Sequence, residues 1–218
     1  MSNVTHLHCK PDTPGEIGLP GNQRLLRHWA ALRGARPLPD KQELDLRAIA
    51  RELPWLGIAG RGNGGHFVWR LAGSALCEMW NHELGGEEVF HGWPSFERAS
   101  LARLLARVAE NHLPGVARLN LKRGAYLSSL PAELLALPLH DAESGETVIL
   151  LSIMPPAGED NPALIDISDV EMTFMRVIWP QAANPRPASA PAAAHEAPGE
   201  GARRGPFRVI TGGRARQG

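Results

Sequence analysis

Three sets of residues have types and spacings suited to chemistry. Gly60, Gly62 and Gly65 match G-x-G-x-x-G, a spacing that lets backbone N–H groups at a helix N-terminus hold a pyrophosphate. His82-Glu83 begins the H-E-x-x-H pair of a zinc hydrolase, whose two imidazoles must share one helical face. His6, His8 and Cys9 place metal-capable atoms close together.

The neighbouring residues argue against each chemistry. A strand-like run, His66 to Leu71, follows Gly65, so the glycines are read as a turn that tolerates positive φ. Gly85-Gly86 stands where the second histidine belongs, which rejects a metalloprotease. His6, His8 and Cys9 sit in a Pro- and Gly-rich arm that offers neither a fourth ligand nor a rigid supporting shell. A Gly-x-Ser-x-Gly turn, a phosphate loop and a suitably spaced carboxylate pair are all missing from the sequence. No catalytic or metal residue is assigned, and the chain is not read as an enzyme.

Composition bounds the rest. Lys plus Arg and Asp plus Glu are 23 each over 218 residues, so no global field draws the chain to nucleic acid or membrane. A content of 43% hydrophobic and 21% charged residues suits one core with extensions. Cys9 and Cys77 form no disulfide framework. The start lacks a basic segment followed by an apolar run, and no stretch approaches the ~20 apolar residues of a membrane span. A cytoplasmic protein without membrane contact is expected.

The elements that must carry any site follow from periodicity. Residues 1–21 are read as a flexible arm. Leu25, Leu26, Trp29 and Leu32 recur at helical spacing over 22–33, with Gly34 as the stop. Asp40 and Glu43 resemble a capping box before the apolar Leu44, Leu46, Ile49 and Leu53. Trp55–Ala59 and His66–Leu71 predict a hairpin. Ser74–Trp80 predicts a short helix and Glu97–His112 a long one, with Leu101, Leu104, Leu105 and Val108 on one face. Three strands follow at Val116–Lys122, Leu130–His140 and Thr147–Ile153. Pro131 and Pro138 mark the middle one as interrupted or at an edge. Connections this short between the last strands exclude a doubly wound parallel sheet and leave an antiparallel α+β fold.

Residues 156–179 form an edge extension whose apolar runs, Leu164–Ile167 and Met172–Trp179, fit a strand or a helix. Residues 180–206 are Pro/Ala-rich and read as a disordered linker. Residues 207–218 form a short motif, Phe207 to Gly213, flanked by Arg203, Arg204, Arg214 and Arg216.

The segment Trp29-Ala-Ala-Leu-Arg-Gly-Ala-Arg-Pro-Leu-Pro39, the later Phe67-Val-Trp-Arg-Leu-Ala-Gly-Ser-Ala-Leu-Cys77 and Leu84-Gly-Gly86 resemble a bacterial family of short PAS-domain proteins. The resemblance covers about 22–155. It implies a five-stranded antiparallel sheet with helices on one face, preceded by the N-terminal amphipathic helix, and a sensory or adaptor role with no fixed reaction. Fewer than 70 residues follow that region, so the output is expected to act in trans, through a protein partner in a signalling pathway.

The same resemblance supplies candidate sites. Trp69, Leu71, Cys77, Trp80, Phe90 and Trp93 fall where a PAS fold borders its cavity and would line it for a small apolar or aromatic ligand, against the plainer reading of a filled aromatic core. Cys77 lies near the flavin-reactive cysteine of photoreceptor PAS domains, but the Asn-Cys-Arg-Phe context is absent. His112 occupies the place of an axial haem ligand, or simply ends its helix. Leu25, Trp29 and Leu32 are candidates for homodimerisation, since terminal helices of PAS domains pair subunits, or they pack on their own sheet. No cofactor is specified. Two alternatives stand beside the adaptor. One is a cofactor-dependent redox or haem sensor or enzyme, which would show a visible absorption band. The other is a nucleic-acid-associated protein using Arg203–Arg216, with steep salt dependence.

Overall fold

The long antiparallel sheet arises from apolar runs separated by glycine turns. The computed structural model describes residues 17–123, 128–156 and 169–179. The expectations for His6, His8 and Cys9, for the Pro/Ala-rich stretch and for Phe207–Gly213 with its arginines lie outside the described residues.

Nine elements organise the described chain: α1 Pro20–Arg33, β1 Leu56–Arg61, β2 Phe67–Ala72, α2 Ser74–Trp80, α3 Ser95–Asn111, β3 Gly115–Arg123, β4 Ser128–Asp141, β5 Glu146–Met154 and β6 Val170–Val177. The strands make one antiparallel sheet in the order β2-β1-β5-β4-β3-β6. The sheet therefore has six strands where the sequence predicted five. The sixth, β6, comes from the apolar run whose type the sequence left open, and it pairs along β3.

Gly60, Gly62 and Gly65 belong to the β1–β2 hairpin. The Gly62 N–H donates to the His66 carbonyl at 2.8 Å, and Gly64 and Gly65 take φ of 101° and 85°, which favours glycine there. The capping box at Asp40 and Glu43 is present and opens a short 3-10 turn, Lys41–Glu43.

β4 corrects the expectation of an interrupted or edge strand: it is continuous and lies between β3 and β5. The prolines are accommodated by stagger. Pro131 pairs with Asn120 of β3 beyond the reach of β5, and Pro138 pairs with Ile149 of β5 beyond the start of β3. Each proline lies where β4 has a neighbour on one side, so its missing N–H faces no waiting acceptor. The Pro138 carbonyl accepts instead from Trp29 Nε1 at 2.7 Å.

Two cores result. On one face α3 sets Leu101, Leu104, Leu105 and Val108 against Leu119, Leu134 and Leu151. On the other, Leu25 and Trp29 of α1 pack with Leu135, Leu137, Leu139 and Leu150. β5 is covered from both sides, so Val148 to Met154 reads as an unbroken buried run rather than an alternating one.

Candidate functional site

Trp69 of β2, Trp80 at the end of α2, and Phe90 and Trp93 in the loop before α3 are all buried in the α3-side core. Trp80 and Trp93 stack with centroids 5.8 Å apart, and Phe90 tilts against Trp93 at 5.0 Å. Phe90 holds a φ of 69°, a region bulky residues avoid, so the loop accepts backbone strain to aim that ring inward. These four candidates share one core, and within it Trp93 packs on both Trp80 and Phe90. The Trp93 Nε1 donor is buried with no hydrogen-bond partner among the described residues. Such a donor costs about 1–3 kcal/mol if it stays unmatched, so this atom is suited to take an acceptor oxygen.

Leu71 stands apart, while Cys77 packs against the same core from its edge. Leu71 is named with Trp69 on the resemblance, and on a regular strand residues two apart would share a face. The β1–β2 register shifts between Ile58 and Ala59, pairing Leu71 with Ile58 but Trp69 with Ala59. That bulge turns Leu71 onto the α1 face, where it is 64% exposed. Cys77 is half-buried at the rim of α2, its Sγ 3.6 Å from Glu83 Oε2. His112 ends α3 in the left-handed conformation at φ 56°.

An open volume lies on the α1 face. A cleft of about 800 Å³ runs between β1–β2 and residues 41–54. Leu56, Ile58, Leu71 and Leu150 form its floor, and Leu44, Leu46, Ile49 and Leu53 its wall. Leu46 is 55% exposed. The lining includes two cations, Lys41 and Arg70, and no carboxylate. Lys41 is held by Asp141 at 2.9 Å, and that hydrogen bond raises its pKa, so it stays charged. The Arg70 guanidinium donates to the neutral Arg61 carbonyl at 2.9 Å. The sequence contained these apolar residues, but nothing in their spacing marked them as a groove.

α1 is fastened to the sheet by polar groups as well as by its apolar stripe. Glu133, 3% exposed in mid-strand β4, accepts from Gly18 N at 2.7 Å, Leu19 N at 3.2 Å and Asn22 Nδ2 at 3.0 Å. Its carboxylate lies at the N-terminal end of α1, where the helix dipole favours an anion. Ser152 Oγ donates to Asn22 Oδ1, and Arg24 Nε donates to the buried Glu52 at 2.8 Å. Of the dimerisation candidates, Leu25 and Trp29 are covered by the chain's own sheet and Leu32 is half-buried. Residues 17–21, assigned no structure from sequence, dock here with Ile17 buried.

His82, rejected as a zinc ligand, links two segments. Its Nδ1 lies 2.8 Å from the Trp80 carbonyl and its Nε2 2.9 Å from Glu87. Residues 86–89 in turn run along the outer edge of β2 through Gly86 N, Trp69 N and Val89 N. The Glu87 carboxylate, then the Trp80 carbonyl, raise the His82 pKa above the ordinary 6.5. A raised folded-state pKa means that this contact stabilises fully below the unfolded-state value and is lost as pH rises through the folded one. We expect a modest fall in melting temperature between about pH 6 and 8 that Glu87→Gln flattens. An unchanged slope in that variant would show that His82 does not carry it.

Among the described residues no group of three or more His, Cys, Asp or Glu is arranged to hold a metal ion. No described helix is long and apolar enough to cross a membrane. The family model of the PAS domain matches residues 18–154, from α1 to the end of β5. No curated protein matches the chain.

Proposed function

Because the chain belongs to the PAS-domain family, whose members are sensory and regulatory modules, we propose that it is a non-catalytic adaptor acting in trans on a protein partner in the cytoplasm. The observation that carries this reading is the cleft, an apolar groove open to solvent with Leu46 and Leu71 exposed. Its occupant is an amphipathic partner helix with acidic residues beside its apolar stripe. α1 sets the precedent, laying Leu25 and Trp29 on the same sheet face at i and i+4. Arg70, whose guanidinium meets a neutral carbonyl, supplies the preference for acidic flanks, Lys41 being paired with Asp141.

The test is fluorescence anisotropy with two designed helical peptides, identical in leucine spacing but carrying glutamates or lysines elsewhere. The acidic peptide binds about tenfold tighter, and Arg70→Glu and Leu71→Asp each weaken it by a similar factor. Equal binding of the two peptides, or indifference to Leu71→Asp in a folded variant, would refute this occupant.

The unmatched Trp93 Nε1 favours a second reading, in which an apolar or aromatic small molecule bearing one acceptor oxygen lies beside the aromatic cluster. Native mass spectrometry of freshly purified protein decides it. Extra mass retained by the chain and lost in Trp93→Phe supports sensing, while a bare mass in both removes this reading.

A further inference from the structure

The β1–β2 hairpin ends in a turn built almost entirely of glycine, with one amide side chain at its tip. Asn63 is the only asparagine in the chain that is followed by glycine. Residues 63–66 are exposed, and Gly64 holds a φ of 101°. The turn closes through Gly65 N, which donates to the Gly62 carbonyl at 3.1 Å, and Gly62 N donates to the His66 carbonyl at 2.8 Å. The N–H of Gly64, between them, has no acceptor among the described residues.

That arrangement suits an intramolecular acyl transfer. A glycine after asparagine puts no side chain in the path from its own nitrogen to the asparagine Cγ, and glycines on both sides leave the Asn63 backbone free to swing into line. An N–H held in a ladder or a helix is withheld from such an attack, and this one is not. An amide nitrogen is a poor nucleophile until a neighbouring base takes its proton. A base stands beside it: a Cβ built on Gly64 would lie 3.2 Å from His66 Cε1 and 3.4 Å from His66 Nδ1, so the imidazole covers Gly64. The ring has no hydrogen-bond partner among the described residues, which leaves its nitrogens open to carry a proton.

We propose that Asn63 is a self-modification site, at which Gly64 N displaces the Asn63 side-chain nitrogen with His66 as the general base. The imidazole takes the Gly64 amide proton and passes it to Asn63 Nδ2. A bond forms between Gly64 N and Asn63 Cγ, the Cγ–Nδ2 bond breaks, and Nδ2 leaves as ammonia. Water then opens the cyclic imide at either carbonyl, giving aspartate or, at the other, isoaspartate with one more carbon in the backbone. Either product sets a carboxylate two residues from Arg61, whose guanidinium reaches the Gly65 carbonyl at 3.3 Å and Glu110 at 3.5 Å. The hairpin thereby acquires a negative charge as the molecule ages. Asn63 and His66 lie outside the cleft lining, so the reaction does not depend on what occupies that cleft.

The experiment follows the full chain at neutral pH over days by peptide mass mapping, with enzymatic methylation of isoaspartate to score the rearranged product and circular dichroism to confirm folding. The peptide bearing Asn63 gains the mass of an amide-to-acid exchange, while those bearing Asn81, Asn111 and Asn120 do not. His66→Phe, which keeps a flat ring and removes the base, slows the reaction by at least about threefold. Gly64→Ala, which puts a Cβ beside the attacking nitrogen, slows it about tenfold. In urea, where the ring is no longer held against the turn, the parent and His66→Phe chains react at the same rate. An Asn63 that stays amidated in the folded chain, or a His66→Phe chain that matches the parent, overturns the proposal, as does a gap between the two that persists unchanged in urea.

Discussion

Glu133→Ala lowers stability by about 2–4 kcal/mol and loosens α1 from the sheet while leaving the sheet intact. The carboxylate gathers Gly18 N, Leu19 N and Asn22 Nδ2, and a methyl group can accept from none of them. Water reaches the two backbone donors, which are part-buried, more easily than it reaches Asn22, which is fully buried. Asn22 keeps Ser152 as a donor to its Oδ1 but loses the acceptor for Nδ2, except for the longer contact to the Glu133 carbonyl at 3.3 Å. Urea unfolding measures the loss, and hydrogen exchange shows whether it falls on α1. Glu133→Gln retains one acceptor oxygen and should cost less. A Glu133→Ala variant within about 0.5 kcal/mol of the parent would mean that the apolar stripe of α1 suffices to hold it.

Gly73→Ala is expected to cost about 2–3 kcal/mol and to distort the cleft. A Cβ at Gly73 would lie 2.4 Å from both the Leu53 and the Pro54 carbonyl oxygens. Those atoms are backbone and cannot swing aside. The φ of −74° and ψ of 160° at this position suit any residue, so the cost comes from collision and not from torsion. Gly73 joins β2 to α2 and also lines the cleft with Leu53 and Pro54. Relief of the collision pushes the cleft wall off its floor. Thermal melting should fall, and the acidic peptide should bind more weakly even below the melting range. A parental melting curve would show that the Leu53–Trp55 turn yields without penalty.

Much of the fold was legible because burial imposes period on side chains. The helices at Leu25–Trp29 and Leu101–Val108 show a repeat near 3.6, and β1 to β5 appear as apolar runs between glycine or proline turns. What escaped the reading were the two register shifts, at Ile58/Ala59 and Arg118/Leu119. A bulge adds one residue to a backbone ladder and needs no particular side chain. Leu71, named with Trp69 from the resemblance, therefore lies on the other face of the sheet. Pro131 and Pro138 misled for a related reason, since a staggered neighbour makes a central strand locally an edge. Glu133 did leave a signal. A carboxylate within the apolar run Leu130–Leu139 demands buried donors, a demand visible in the sequence although the donors were not.

The fastening of α1 also sets an order in time. Its partners Pro138, Glu133 and Ser152 lie 109, 111 and 130 residues further along the chain. On a ribosome adding roughly 5–20 residues per second, the helix waits about 5–25 s before those groups exist. Throughout that interval Leu25 and Trp29 have neither sheet nor acceptor to cover them. Of the described helices, the first to be made thus waits longest for its cover, and its apolar stripe stays open through that wait.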